Sequence, residues 1–212
     1  MTPLDSVSER LVLAAQGVSP TVRLVGGAGL AMLLGHRMSD DLDLFGGVRE
    51  DIDPIVRAID AEAMVLGLAP NRVRSGPGFV RIELPREDSV LRIDVASDAS
   101  SRIDTRDTLV GRVRVESLRD QRANKIAALL GRSELRDLVD LFFIDQAGLP
   151  AAMGFDDATS KDKGMDPAWF AWALDQIKVA PLRGMVAKLD LEGLERFRIN
   201  LKQAALERAG AI

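Results

Sequence analysis

Asp41-Leu42-Asp43-Leu44-Phe45 alternates strictly, with Leu42 and Leu44 on one side and Asp41, Asp43 and Phe45 on the other. A period of two is that of a β-strand buried on one face, and Gly46-Gly47 ends it. Upstream, Val22-Arg23-Leu24-Val25 is a second short strand, stopped by Gly26-Gly27. Ala28 to His36 follows as an apolar helix carrying Leu30, Met32, Leu33 and Leu34, closed near Gly35.

Outward from this stretch, Ser6 to Gly17 has the spacing of an amphipathic helix. Asp51 to Leu66 has it too, with Asp53 and Pro54 as cap and first turn. Strands are expected at Asn71 to Arg74, Phe79 to Leu84, Val90 to Ala96 and Leu109 to Val115; Ser75-Gly76-Pro77-Gly78 is a turn. From Ser117 the pattern turns helical. Leu118 to Leu130 and Ser133 to Gln146 are two helices broken at Gly131-Arg132, with Ser133 as N-cap. Gly148 to Asp166 reads as a linker or long loop. Pro167 to Val179, Pro181 to Lys188 and Leu191 to Ala209 complete a helical C-terminal part. The expected fold is α+β: a mixed sheet flanked by helices over residues 1–116, then a helical domain over 117–212.

Composition narrows the function classes. The 212 residues, 47% hydrophobic and 28% charged, suffice for a packed core. There is no cysteine, which excludes disulfides and cysteine-based metal sites. The single histidine, His36, leaves no histidine cluster and is expected to end its helix. A net charge of −4 gives no bulk attraction to nucleic acid. Met1 to Gln16 lacks a signal-peptide pattern, and the longest apolar stretch, Val25 to Gly35, is far below the ~20 residues of a membrane span. A cytoplasmic protein without membrane contact is expected.

The chemistry concentrates in Val25 to Phe45. Gly26-Gly27 stands after a strand and at the start of a helix, where free N–H groups and the helix dipole favour an anion such as phosphate. Asp41 and Asp43, ~7 Å apart along a strand, can reach metal ions placed between them. Magnesium takes a few carboxylates plus substrate phosphates, so a phosphate cradle beside a carboxylate pair suits metal-assisted nucleotidyl transfer. Plainer readings stand beside these: a tight turn for the glycines and a solvated strand face for the aspartates. A dinucleotide fingerprint fails at Met32 and a calcium loop fails at Phe45. Asp94, in Arg92-Ile93-Asp94-Val95, adds a third acid inside a strand. Three such acids repel one another unless a cation sits among them. Trp169 and Trp172, at i and i+3, are expected as core or interface anchors.

Together these stretches resemble the nucleotidyltransferase fold and, within it, the AbiEii/AbiGii toxin family of type IV toxin–antitoxin systems. Leu24-Val25-Gly26-Gly27-Ala28-Gly29-Leu30-Ala31 resembles the family's glycine-rich segment, and Arg37-Met38-Ser39-Asp40-Asp41-Leu42-Asp43-Leu44-Phe45 its R-x-S-x-D-x-D-L-F signature. Ile93-Asp94-Val95 resembles the third-carboxylate strand, Lys125-Ile126-Ala127-Ala128-Leu129 the lysine motif, and Arg132 with Arg136-Asp137-Leu138-Val139-Asp140-Leu141 the final motif. The resemblance implies an enzyme that moves a nucleotide from a nucleoside triphosphate to an RNA acceptor, the tRNA 3′ end, and so blocks translation. It implies Mg2+ on Asp41, Asp43 and Asp94, with Asp94 helping to activate the attacking hydroxyl. Gly26, Gly27 and Ser39 would bind the nucleotide, Lys125 would neutralise triphosphate charge, and Asp137 would lie near the nucleotide or orient Lys125. A cognate antitoxin is the implied partner. Two departures stand out: Gly27 replaces the serine common after the first glycine, and Ala28 a frequent threonine. The alternatives are a non-catalytic nucleotidyltransferase-like interaction module, or a nucleotidyltransferase with a small-molecule or protein acceptor.

Overall fold

The computed structural model describes residues 4–46, 52–97, 102–106 and 108–210. Gly47, and Asp51 at the expected helix start, lie outside them. The chain forms two compact units, Met1–Ala99 with Arg106–Glu116, and Ser100–Thr105 with Ser117–Ile212.

The first unit contains α1 (Ser6–Val18), β1 (Arg23–Val25), α2 (Gly26–Leu34), β2 (Asp41–Gly46), α3 (Ile52–Val65), β3 (Asn71–Gly76), β4 (Phe79–Pro85), β5 (Val90–Ser97), β6 (Thr108–Val110) and β7 (Val113–Val115). They build a seven-stranded mixed sheet ordered β3-β4-β5-β2-β1-β7-β6. β2 runs parallel to β5 and β1 parallel to β7, while the remaining pairs are antiparallel. Alternation does the sorting. Leu42 and Leu44 on β2, Ile93 and Val95 on β5, and Ile82 and Leu84 on β4 share one buried core with Leu11, Val12 and Ala15 of α1 and Ile55, Val56 and Ile59 of α3. The polar residues between them occupy the opposite sheet face.

Two expectations in this unit are corrected. Leu109 to Val115 is a hairpin rather than one strand, because Gly111 at φ +60° turns the chain between β6 and β7. The helix expected from Ala28 begins already at Gly26.

The second unit holds α4 (Leu118–Arg132), α5 (Leu135–Gln146), a 3-10 turn (Ala151–Gly154), α6 (Phe155–Lys161), α7 (Pro167–Asp175) and α8 (Leu191–Arg208). Gly131 does not break α4. The helix runs through it and ends at Ser133, a C-cap in the left-handed region (φ 49°) whose N–H donates to the Leu129 carbonyl. The N-cap of α5 is therefore Glu134, not Ser133. The expected linker from Gly148 to Asp166 contains α6, because Phe155 is buried edge-on against Phe170, ring centres 5.3 Å apart. α7 stops at Asp175, short of Val179, and Pro181 to Lys188 forms turns around Gly184 at φ +76° instead of a helix. Among the described residues no single helix is long and apolar enough to cross a membrane.

Candidate functional site

The outward face of β2 and its neighbours gathers the charged residues. Register places Asp43 opposite Asp94, Asp41 opposite Arg92, and Arg81 of β4 opposite Asp94. Arg81 grips Asp94 with both arms, Nε to Oδ1 at 2.7 Å and Nη2 to Oδ2 at 2.6 Å. Arg92 lies 3.4 Å from Asp41 and 3.7 Å from Glu83. Hydrogen bonds to Asp94 hold the Arg81 guanidinium above its ordinary pKa. Burial opposes them, and the charges of Asp94, Asp41 and Asp43 add smaller effects in the same direction as the hydrogen bonds. Arg81 is thus clasped to Asp94 and also feels the charge of Asp41 and Asp43.

The turn that follows β1 lies beside these acids. Val25 is the register partner of Asp43, so the next residue, Gly26, comes alongside the Asp43 carboxylate. Gly26 has φ +64°, a conformation that only glycine adopts at little cost, and a Cβ there would overlap Asp43 Oδ2 and stand 3.1 Å from its Cγ. A Cβ on Gly27 would meet the Arg37 guanidinium at 2.7 Å and Ser39 Oγ at 2.9 Å. No side chain caps α2, which leaves its first-turn N–H groups to other acceptors. Arg37 is buried and donates to the Met38 carbonyl, and Ser39 Oγ donates to the Asp41 carbonyl. The glycines, Arg37, Ser39 and the acids are therefore neighbours.

Gly26→Ala is expected to cost about 1–2 kcal/mol of stability from the left-handed backbone alone. It is also expected to push the Asp43 carboxylate aside. A melting curve and calorimetric titration with a magnesium nucleotide check both effects; unchanged nucleotide binding would separate the turn from the site.

Carboxylate oxygens are the donors a hard divalent ion takes. Among the described residues no group of three or more His, Asp or Glu side chains is arranged to hold a metal ion by itself. Asp41 and Asp43 nevertheless fit magnesium, which needs one or two carboxylates when phosphates supply the rest.

The remaining sequence-indicated residues belong to the second unit and form a buried ion cluster. Lys125 Nζ donates to Asp137 Oδ1 and to Asp140 Oδ2, both at 2.7 Å, and Arg132 grips Asp137 with Nε and Nη2 at 2.7 and 2.8 Å. Both aspartate side chains are fully buried and that of Lys125 is 6% exposed. Burial alone would raise the pKa of Asp137. The hydrogen bonds from Arg132, and the charge and hydrogen bond of Lys125, outweigh it and hold the carboxyl below its ordinary value. An ammonium has three N–H donors; the two aspartates take two. The basic run Arg122, Lys125, Arg132, Arg136 is not an open stripe. Arg122 pairs with Asp157 and Arg136 with Glu134. His36 is wholly buried, just past the Gly35 cap of α2.

Sequence reasoning gave no role to Arg37, Arg81 or Arg92. Arg37 stands inside the quoted signature, so its place beside Gly27 had a sequence signal. The other two enter only through strand register.

Three comparisons bear on the fold and lineage. The sequence profile of the family "Nucleotidyl transferase AbiEii toxin, Type IV TA system" matches residues 10–209. No curated protein matches the chain at a significant level. Among solved structures, a candidate nucleotidyltransferase from H. pylori superposes with a TM-score of 0.57 at 16% identity, covering 96% of this chain and 93% of that one. That likeness speaks for the fold alone. The Cid1 poly(U) polymerase with Mg and 3′-dATP bound scores 0.34 at 14% identity, over 91% of this chain and 64% of its own, and carries no weight. With nearly its whole length matched by the family profile, the chain belongs to the AbiEii family of nucleotidyl transferase toxins of type IV toxin–antitoxin systems.

Proposed function

We propose that this protein is a magnesium-dependent nucleotidyltransferase that moves a nucleotide from a nucleoside triphosphate to RNA, the tRNA 3′ end, and thereby stops translation. One observation supports this most: Gly26, the backbone of the phosphate-type turn, is packed against Asp43, whose strand neighbours are Asp41 and Asp94. A solvated strand face gives no reason for a glycine turn to crowd a carboxylate.

The roles follow from the chemistry of each group. Backbone N–H groups at Gly26 and Gly27, with Ser39 and the Arg37 guanidinium, bind phosphate oxygens. Gly27 and Ala28 bring no side-chain hydroxyl to the phosphate here, so backbone N–H groups carry that contact. Asp41 and Asp43 would hold Mg2+, which would supply neutralisation of triphosphate charge and a lower pKa for the attacking hydroxyl. The acceptor oxygen bonds to the α-phosphorus, the bond to pyrophosphate breaks, and the hydroxyl proton passes to an Asp94 oxygen. Arg81 positions that carboxylate and leaves its remaining lone pairs open. As the family resemblance implies, Lys125 would neutralise triphosphate charge, with Asp137 orienting it. A cytoplasmic setting and a cognate antitoxin complete the proposal.

Incubation of the protein with each labelled triphosphate, Mg2+ and total RNA tests it. Label is expected in RNA with at least one triphosphate, and a chelator should prevent it. No label with any triphosphate would leave the non-catalytic module. Label in a small molecule or protein, but not in RNA, would replace the acceptor.

A further inference from the structure

Both tryptophans of the chain lie on α7, and neither is core. Trp169 is 63% exposed and Trp172 55%, correcting the core half of the sequence expectation. Their rings meet edge to face, centres 5.7 Å apart at 79°, so open ring faces remain toward solvent. A tryptophan ordinarily buries most of its large apolar surface. Two left out on one helix mark a contact surface.

The surrounding charges indicate what the contact is. In the second unit nearly every lysine and arginine has an acidic partner or another polar contact: Arg119 and Arg122 hold Asp157, Lys161 holds Asp120, Lys202 holds Asp175. Among the described residues Lys163, Lys178, Arg183 and Lys188 make no ion pair or hydrogen bond, and all four are exposed. They stand on either side of the tryptophan helix in sequence, in a chain whose 32 acids outnumber its 28 bases. Asp175, at the end of α7, is neutralised by Lys202 and Arg198. Residues 163 to 188 thus carry four cations against two acids, Asp166 at the α7 cap and the neutralised Asp175, beside the aromatic faces. α7 itself is only about 13 Å long from its rise per residue.

Stacking platforms flanked by cations are how proteins hold single-stranded nucleic acid: every base has a π-face, and lysines and arginines track the phosphates. A self-interface fits less well. Two copies meeting about a two-fold axis would bring like charges together, and the exposed neighbours of the tryptophans along α7 are Asp166, Asp175 and Gln176 with only the small Ala168 apolar.

We propose that the Trp169–Trp172 face of α7, with Lys163, Lys178, Arg183 and Lys188, docks a single-stranded stretch of the RNA acceptor. This rests on RNA being the acceptor, but its test needs no turnover. Trp169 and Trp172 are the only tryptophans and the chain has no tyrosine, so intrinsic emission reports this face alone.

The probe is a twelve-nucleotide single-stranded RNA of mixed sequence, added to the full chain without triphosphate. RNA is expected to quench the emission. In fluorescence anisotropy with end-labelled RNA, Trp169→Ala/Trp172→Ala is expected to weaken binding about 10-fold or more. Lys178→Gln/Arg183→Gln should flatten the logarithmic salt dependence by about 0.7 per cation removed. These positions are exposed, and far-UV circular dichroism verifies that the variants fold. RNA binding unchanged in both variants would overturn the proposal. So would sedimentation showing a dimer that dissociates on tryptophan removal, or quenching by an acidic peptide and not by RNA. If RNA quenches but receives no label, the docking surface stands and the catalytic reading falls. If RNA is labelled and the variants bind it normally, the docking surface falls alone.

Discussion

Replacing Asp41 and Asp43 together by asparagine is expected to lower nucleotide transfer at least about 10^3-fold while the protein stays folded. Asparagine keeps the shape of each side chain and removes its charge, so packing on β2 is retained. The link from Arg92 to Asp41 is long and partly exposed and carries little stability. Label transfer and a melting curve on the same preparation check the two halves. Transfer within 10-fold of the parent would end the role proposed for these carboxylates. A collapse of the melting temperature would make them structural.

Lys125→Met is expected to cost about 3–5 kcal/mol, the price of stranding buried charge. Methionine fills the space of the lysine stem but leaves Asp140 without its ammonium and Asp137 with Arg132 alone. Urea unfolding at pH 7 measures this, and a loss below about 1 kcal/mol would mean that the cluster is not buried in solution. Acid should act similarly on the parent. Asp120 is also held low: burial works upward, but the Ile103 amide, Lys161, Ser117 and the Asp104 amide outweigh it. For carboxyls whose folded pKa is depressed, the added stability is present above the unfolded pKa and is lost as pH falls through the folded one. The parent is therefore expected to lose stability below about pH 4. The methionine variant should lose less on acidification, since Asp137 is held down less there and its carboxyl has less stability to give up.

Local periodicity made the strands and their faces legible. Asp41-Leu42-Asp43-Leu44-Phe45 announces its own burial pattern, and Gly26-Gly27 its own turn. What periodicity does not carry is pairing. β2 lies against β5 after an excursion through α3 and two other strands, so nothing near Asp94 says that Arg81 will clasp it. The joining of Lys125 to Asp140 likewise depends on how α4 and α5 pack. Helix ends were obscured for a different reason. Gly131 is a poor helix former, yet α4 continues past it because the left-handed cap falls on Ser133. α6 was hidden among small and polar residues because its anchors, the Phe155 ring and the ion pairs of Asp157 and Lys161, are tertiary contacts that no local period announces.

Asp120 has one further consequence. Its carboxylate accepts from the amides of Ile103 and Asp104, at 2.9 and 3.0 Å, and from Ser117, and pairs with Lys161. The chain thus lends residues 102–105 to the helical unit and then returns to supply β6 and β7 to the sheet. Severing the polypeptide between Glu116 and Ser117 would not release two self-sufficient fragments. The amino-terminal piece would keep two amides whose acceptor had left, and the carboxy-terminal piece a buried anion missing half its donors. Fragment complementation would have to retie that knot, which makes this lineage a poor candidate for swapping its helical half as a cassette.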